Sequence, residues 1–230
     1  MKLRPEWHTC GLPADGLPMI RTAASLVLAC SLGLSLASVP ARALAQGALA
    51  QLREFVQATQ SARGEFSQRT LRSGGQSADQ ASGGFAFARP GRFRWEVRKP
   101  FEQLMVADGE RLHFYDKDLN QVTVRKLSDS LGASPAAILF GSNDMEASFV
   151  LKEAGARDGL EWLDAVPRSK EAGFDRIQIG FRAGLPEAME VRDAFGRTTL
   201  FAFRGIERNP KIDPEAFRFV APKGADVIRQ

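Results

Sequence analysis

Beyond its first 45 residues the chain has no cysteine, since Cys10 and Cys30 both precede Gln46. Without thiols the segment 46–230 has no disulfide, no thiolate nucleophile and no thiolate metal site, so packing alone must hold it together. Histidine is almost as scarce: His113 stands alone in that segment, close to Tyr115, the chain's single tyrosine. In a strand, His113 and Asp116 fall on opposite faces and make a poor acid–base pair, so the imidazole reads as a surface or satisfied one. No P-loop, dinucleotide-binding glycine loop or nucleophile elbow occurs. Glu102, Asp108 and Glu110 surround a predicted turn and read as carboxylates facing water. These absences argue against an enzyme and imply no cofactor. Excess charge is missing too. Once Lys2, Arg4, Arg21, Arg42, Glu6 and Asp15 are set aside, 27 Lys and Arg face 25 Asp and Glu. The basic residues are scattered among acidic ones, which speaks against a nucleic-acid partner.

Long apolar runs are also lacking, with one exception at 23–39. It follows Arg21 and ends in Pro40, Arg42 and the small-x-small motif Ala43, Leu44, Ala45. A membrane span needs about 20 continuous apolar residues. A basic start, a shorter apolar stretch and that motif instead mark an export signal. Residues 1–45 are therefore expected to be a signal peptide, with Met19 as its true start and a spurious extension before it. Cys30, as a lipid-modified residue, is the weaker alternative, because the apolar stretch runs on past it. Residues 46–230 remain, enough for one domain with a sizeable core.

What this segment has in abundance is phenylalanine: all 16 of the chain's Phe lie in it. The stretch 83–118 sets Phe85, Phe87, Phe93, Trp95 and Val97 at alternate positions between Pro-Gly and Asp-Gly turns, which predicts antiparallel strands with one strongly apolar face. Strands are expected over 65–72, 85–88, 93–97, 103–107, 111–116, 121–126, 149–153, 159–166, 174–181, 188–193, 198–206 and 217–220. Residues 73–84, rich in Gly, Ser and Gln, predict a loop or a long hairpin tip. Leu104, Met105 and Val106 are apolar in succession, so material is expected on both faces of the sheet there. An amphipathic helix is expected over 46–62, with Leu49, Leu52, Phe55, Val56 and Thr59 on one stripe. Ser134 and Pro135 open a short apolar helix, 136–140, that Gly141 stops. Alone it would be marginal, so it must lie on the apolar sheet face as a plug or a lid. The sum is one mostly β domain, a meander curling into an open half-barrel. Its greasy interior suits either an apolar-ligand site or a structural, protein-binding module.

A more specific pattern runs through the segment. Arg89, Pro90, Gly91, Arg92, Phe93, Arg94 and Trp95 are followed by Pro100, Asp108-Gly109, Tyr115-Asp116, Leu119, Gln121-Val122-Thr123 and Ser134-Pro135-Ala136. Phe217 and Phe219, then Pro222-Lys223-Gly224-Ala225-Asp226-Val227, close it. This ordered set resembles the outer-membrane lipoprotein carrier (LolA) family of the periplasm. The resemblance implies an unclosed antiparallel β-barrel, covered by an N-terminal helix and a short helical lid enclosing an apolar cavity. It implies a monomeric periplasmic chaperone that takes acylated lipoproteins from an inner-membrane lipoprotein-releasing ABC transporter and delivers them to an outer-membrane receptor. Carried over by position, Arg89 resembles the arginine that latches the lid. The acyl-chain cavity would be lined by Leu52, Phe55, Phe85, Phe87, Phe93, Trp95, Met105, Ile138, Leu139 and Phe140. The alternative within the same fold is a periplasmic lipid- or lipoprotein-sensing regulatory module.

Overall fold

Among the described residues twelve strands form one sheet whose two outermost strands do not pair. The computed structural model describes residues 46–72, 77–127, 139, 145–169 and 172–230. The expected signal peptide, the capping pair Ser134 and Pro135, and all of the expected helix 136–140 except Leu139 lie outside them. A helix α1 (Ala48–Ala58) leads into β1 (Ser61–Leu71), β2 (Ser77–Ala88), β3 (Arg92–Lys99), β4 (Gln103–Asp108), β5 (Arg111–Asp116) and β6 (Gln121–Lys126). A short helix α2 (Met145–Ser148) precedes β7 (Phe149–Arg157), β8 (Leu160–Pro167), β9 (Phe174–Arg182), β10 (Leu185–Asp193) and β11 (Thr198–Arg208). A 3-10 turn (Pro214–Phe217) and β12 (Asp226–Arg229) complete the chain. The strand order is β12-β6-β5-β4-β3-β2-β1-β11-β10-β9-β8-β7. Every pairing is antiparallel except that of β12 with β6.

Alternation decides which residues share a face. Ala62, Phe87, Phe93 and Ala107 stand in register across β1 to β4, as do Phe85, Trp95 and Met105 across β2 to β4. Phe66 pairs with Phe203, and Phe201 with Met189, carrying the same apolar row across β11 and β10. On this face α1 packs over β7 to β10, yet its Phe55 reaches the Phe87 ring of β2 edge-on, with centroids 6.4 Å apart. In a flat sheet β2 and β8 would lie about 24 Å apart at the usual strand spacing. A helix about 10 Å wide touches both only where the sheet curls around it.

The opposite face of β3 to β6 is covered as well. Phe217 is buried, and the 3-10 turn that carries it packs on β3 and β4. Phe219 stacks on His113 at 5.1 Å. Met105 therefore belongs to the inner row, while Val106, fully buried, belongs to the outer one beneath this segment.

Three expectations need correction. Residues 77–84 are strand and not loop, which leaves the hairpin alternative: β2 starts at Ser77, opposite Leu71 of the antiparallel β1, and exposed residues such as Asp79 and Gln80 are ordered by their pairing with β1 rather than by burial. The predicted strand 217–220 is no strand. Asp213 caps the 3-10 turn by accepting from the Glu215 N–H, and the alternating Phe217 and Phe219 lie against the sheet instead of joining it. The last strand is β12, a four-residue segment held by Val227 opposite Val122 and by a hydrogen bond from the Asp226 N–H to the Asn120 carbonyl. Finally, Glu102 and Asp108 flank opposite ends of β4 and share no turn. Glu102 pairs with Lys117, whereas Asp108 accepts from the N–H groups of Glu110 and Arg111.

Candidate functional site

The apolar face converges on two features, an aromatic cluster and a half-buried arginine. In the cluster Trp95 stacks on Phe66 with centroids 3.8 Å apart and on Phe85 at 6.1 Å, and meets Phe201 and Phe203 edge-on at 5.9 and 6.5 Å. Period-two placement on β1, β2, β3 and β11 brings these rings together, because the register sets each opposite a neighbour's apolar position. Gly83 sits in the same row. A Cβ there would collide with the Glu96 carbonyl oxygen, so glycine permits β2 and β3 to approach beside the stacked rings.

Of the cavity residues predicted from sequence, Leu52, Phe55, Phe85, Phe87, Phe93 and Leu139 are buried in one hydrophobic cluster, and Trp95 and Met105 pack partly buried against it. Ile138 and Phe140 lie outside the described residues. Phe66, Phe201 and Phe203 join the site although the sequence pattern singles out none of them; each sits on an alternating apolar strand pattern. The pairing of β1 with β11, some 130 residues apart in sequence, is what brings them to Trp95.

Arg89 follows β2 directly. Its backbone N–H donates to the Gln60 carbonyl at 2.8 Å. Its guanidinium donates from Nε to the Thr59 carbonyl at 3.0 Å and from Nη2 to the Leu139 carbonyl at 2.6 Å, while lying 5.0 Å from the centroid of the Phe87 ring. Thr59 is the residue that ends α1. One cation thus joins the exit of the N-terminal helix to Leu139, and it complements the negative helix end. Burial draws the guanidinium down to about 10, so at neutral pH it stays charged. Thr59 is itself fully buried, and its hydroxyl finds no partner among the described residues.

The other end of α1 has no side-chain cap of its own. Glu153 supplies one from β7, accepting from the Ala48 N–H at 3.0 Å and the Leu49 N–H at 2.9 Å. A Cβ on Gly47 would come within 2.6 Å of a Glu153 carboxylate oxygen, so any larger residue there would make the carboxylate shift. His113 sits on the far side of the sheet with its Nε2 3.3 Å from an Asp108 carboxylate oxygen, remote from both features.

The family model described as outer membrane lipoprotein carrier protein LolA matches residues 57–220. A protein of Cupriavidus necator named outer-membrane lipoprotein carrier protein is 53% identical over 209 residues, which cover 89% of this chain and 98% of the relative. A protein of the same name from Ralstonia nicotianae is 56% identical over 189 residues, 80% of this chain and 88% of the relative. Among solved structures, an uncharacterized conserved protein from Thermus thermophilus aligns with a TM-score of 0.50 at 15% identity, covering 78% of this chain and 98% of that one, a likeness of fold alone.

Proposed function

The chain belongs to the outer-membrane lipoprotein carrier family, and from that premise we propose that residues 46–230 act in the periplasm as the chaperone that carries acylated lipoproteins towards the outer membrane. The observation that carries the proposal is the identity of 53% to a relative of that name across 98% of its length. The sensing alternative has no comparable support. Under this reading residues 1–45 direct export, and the cargo is received from an inner-membrane ABC transporter and surrendered to an outer-membrane receptor.

The physical need is plain. Burying an acyl chain is worth about 0.8 kcal/mol per methylene, so a lipoprotein does not cross an aqueous space unaided. The face that would receive the chains is the one bearing Phe85, Phe87, Phe93, Trp95 and Met105, extended by Phe66, Phe201 and Phe203. In the empty carrier this face is filled by the protein's own Leu52, Phe55 and Leu139. Arg89 acts as the latch: its bond to the Leu139 carbonyl exists only while that residue is seated. Hydrogen bonds to a charged donor are worth about 1.5–3 kcal/mol each. Because the latch favours the empty state alone, it offsets part of the apolar gain of loading and eases release. The proposal assigns the chain no catalytic step.

Native mass spectrometry of the protein purified gently from the periplasm tests this reading. One acylated protein bound per chain is the expected result. A free lipid in its place would move the assignment to lipid transport, and an unliganded mass after exposure to acylated lipoprotein would overturn the carrier assignment.

A further inference from the structure

Strand β2 outruns its neighbour. It pairs with β1 from Ser77 onward, but with β3 only from Ser82, because β3 ends at Lys99 opposite Ser82 and Pro100 leads the chain away to β4. From Ser77 to Ala81 one side of β2 therefore has no adjoining strand among the described residues, and its backbone N–H and C=O groups on that side face a gap. A cavity of about 580 Å3 opens there, walled in part by Arg69, Gln80, Ser82, Lys99, Pro100 and Leu200. Arg69 stands in register with Gln80, and Ser67 with Ser82, on the face opposite Phe66. Arg69 and Lys99 are exposed, and neither makes an ion pair among the described residues. No carboxylate lines this cavity. In the next cavity along the same face, by contrast, Glu65 and Glu96 pair with Arg98 and Arg94. Asp79, the acid on this part of β2, stands opposite Thr70 on the other face.

The gap adjoins the aromatic cluster. Gln68 lies between Ala81 and Phe201 in the ladder, and Phe201 meets Trp95 at 5.9 Å. Gly83, two residues along β2, stands opposite Phe66, on which Trp95 stacks. The other free edges, of β7 and β12, lie at the ends of the sheet.

We infer that the gap beside β2 is a subsite for the peptide that follows the acylated residue of the cargo, and that this peptide adds there as a short strand in line with β3. This rests on the carrier reading above. Acyl chains seated on the Trp95 cluster leave their peptide at this rim, where β2 offers unpaired backbone. An extended linker presents N–H and C=O groups whatever its side chains, so one edge serves cargoes of differing sequence. Alternate linker side chains point to the outer face. There Arg69 and Lys99 favour acidic and hydroxyl side chains over Lys and Arg. Lysine and proline beside an edge also discourage pairing between copies of a chain, which suits a site kept for a tethered peptide.

The test uses synthetic triacylated lipopeptides whose linkers of about six residues can span Ser77 to Ala81, with binding read by native mass spectrometry. One linker is rich in Ser and Glu, one in Lys, and two copies of the first are N-methylated at odd or at even positions. An edge strand bonds through alternate residues only. One methylated set is therefore expected to weaken binding by about tenfold and the other by less than about twofold. The Lys linker should bind about threefold or more weakly than the acidic one, and Arg69→Gln with Lys99→Gln should remove that difference. Hydrogen exchange within 77–81 should slow on loading with the acidic linker and not with a triacylated cysteine lacking a linker. Bound lipopeptide that is indifferent to both methylation patterns, with exchange in 77–81 unslowed, overturns the subsite and leaves the carrier reading standing. Exchange there that slows with protein concentration alone assigns the edge to a second copy of the chain and overturns it too. No bound lipopeptide overturns both readings.

Discussion

At the scale of single residues, Arg89 links three pieces of chain through groups that only a long, permanently charged donor can join at once. Arg89→Leu removes the bonds to Thr59 and Leu139 while keeping an apolar side chain beside Phe87. Under the carrier reading the expected outcome is cargo held more tightly and its onward transfer slowed, measured as the fraction of lipoprotein passed on with time. Normal transfer by this variant would refute the latch. The linkage sign also follows. Burial lowers the folded value to about 10, so Arg89 is protonated in folded and unfolded chains alike below that, and adds pH dependence only above it, where stability rises as the folded state sheds its proton first. Transfer should show no contribution from Arg89 between about pH 6 and 9. Thr59 gives a second prediction. Its buried hydroxyl, without a partner among the described residues, carries a desolvation cost of about 1–3 kcal/mol. Its extended backbone suits a β-branched residue. Thr59→Val should therefore raise stability by about 1 kcal/mol in urea titration; a lower midpoint would show that the hydroxyl is satisfied.

At the scale of elements, the C-terminal segment acts as a strap across the outside of β3 to β6 before β12 extends the sheet. Phe217 is its main apolar anchor, with the Arg92 guanidinium 6.0 Å from its ring centroid. Phe217→Ala leaves a cavity against β3 and β4, and such changes cost about 3–5 kcal/mol. The expected result is a urea midpoint lowered accordingly, together with faster amide exchange in β12, which hangs from the same strap. Unchanged exchange in β12 would mean that its pairing with β6 stands without the anchor. The turn between β4 and β5 under the strap responds to acid. Burial acts to raise the Asp108 carboxyl, but the N–H groups of Arg111 and Glu110 and the His113 ring outweigh it and hold it below its usual range. Its contribution is present above the ordinary carboxylate range and is lost as pH falls through the lowered folded value.

At the scale of the whole sheet, the two faces have different tasks, and two tryptophans report on them separately. Trp95 belongs to the inner aromatic cluster, whereas Trp162 is buried on the outer side with Arg157 4.2 Å from its ring centroid and its indole N–H donating to the Arg157 carbonyl. Acyl chains brominated along their length quench a ring they touch. Loading with a brominated lipopeptide should quench Trp95 in a Trp162→Phe variant and leave Trp162 emission unaltered in a Trp95→Phe variant. Equal quenching of both would place the chains elsewhere.

Much of this was legible without coordinates, because alternation and turn residues are local. Arg111–Asp116 and Gln121–Lys126 begin and end where the pattern puts them, and Phe85, Phe87, Phe93 and Trp95 fall on one face because a strand has period two. The apolar succession Leu104, Met105 and Val106 marked a doubly covered strand correctly. Arg89 was chosen only through resemblance to a family, for nothing in its neighbours shows which carbonyls it will meet. What local pattern did not reveal depended on partners far away in sequence: the ladder that makes a strand of the polar residues from Ser77, the β1–β11 pairing that delivers Phe201 and Phe203 to Trp95, and the carboxylate of Glu153 at a helix start over 100 residues before it. The sequence by itself determined the strands, their apolar face and the family, since periodicity and motif are written in neighbouring residues. The tertiary structure alone decided which groups close on Arg89 and what holds α1, since a hydrogen bond depends on a distance that only the folded chain creates.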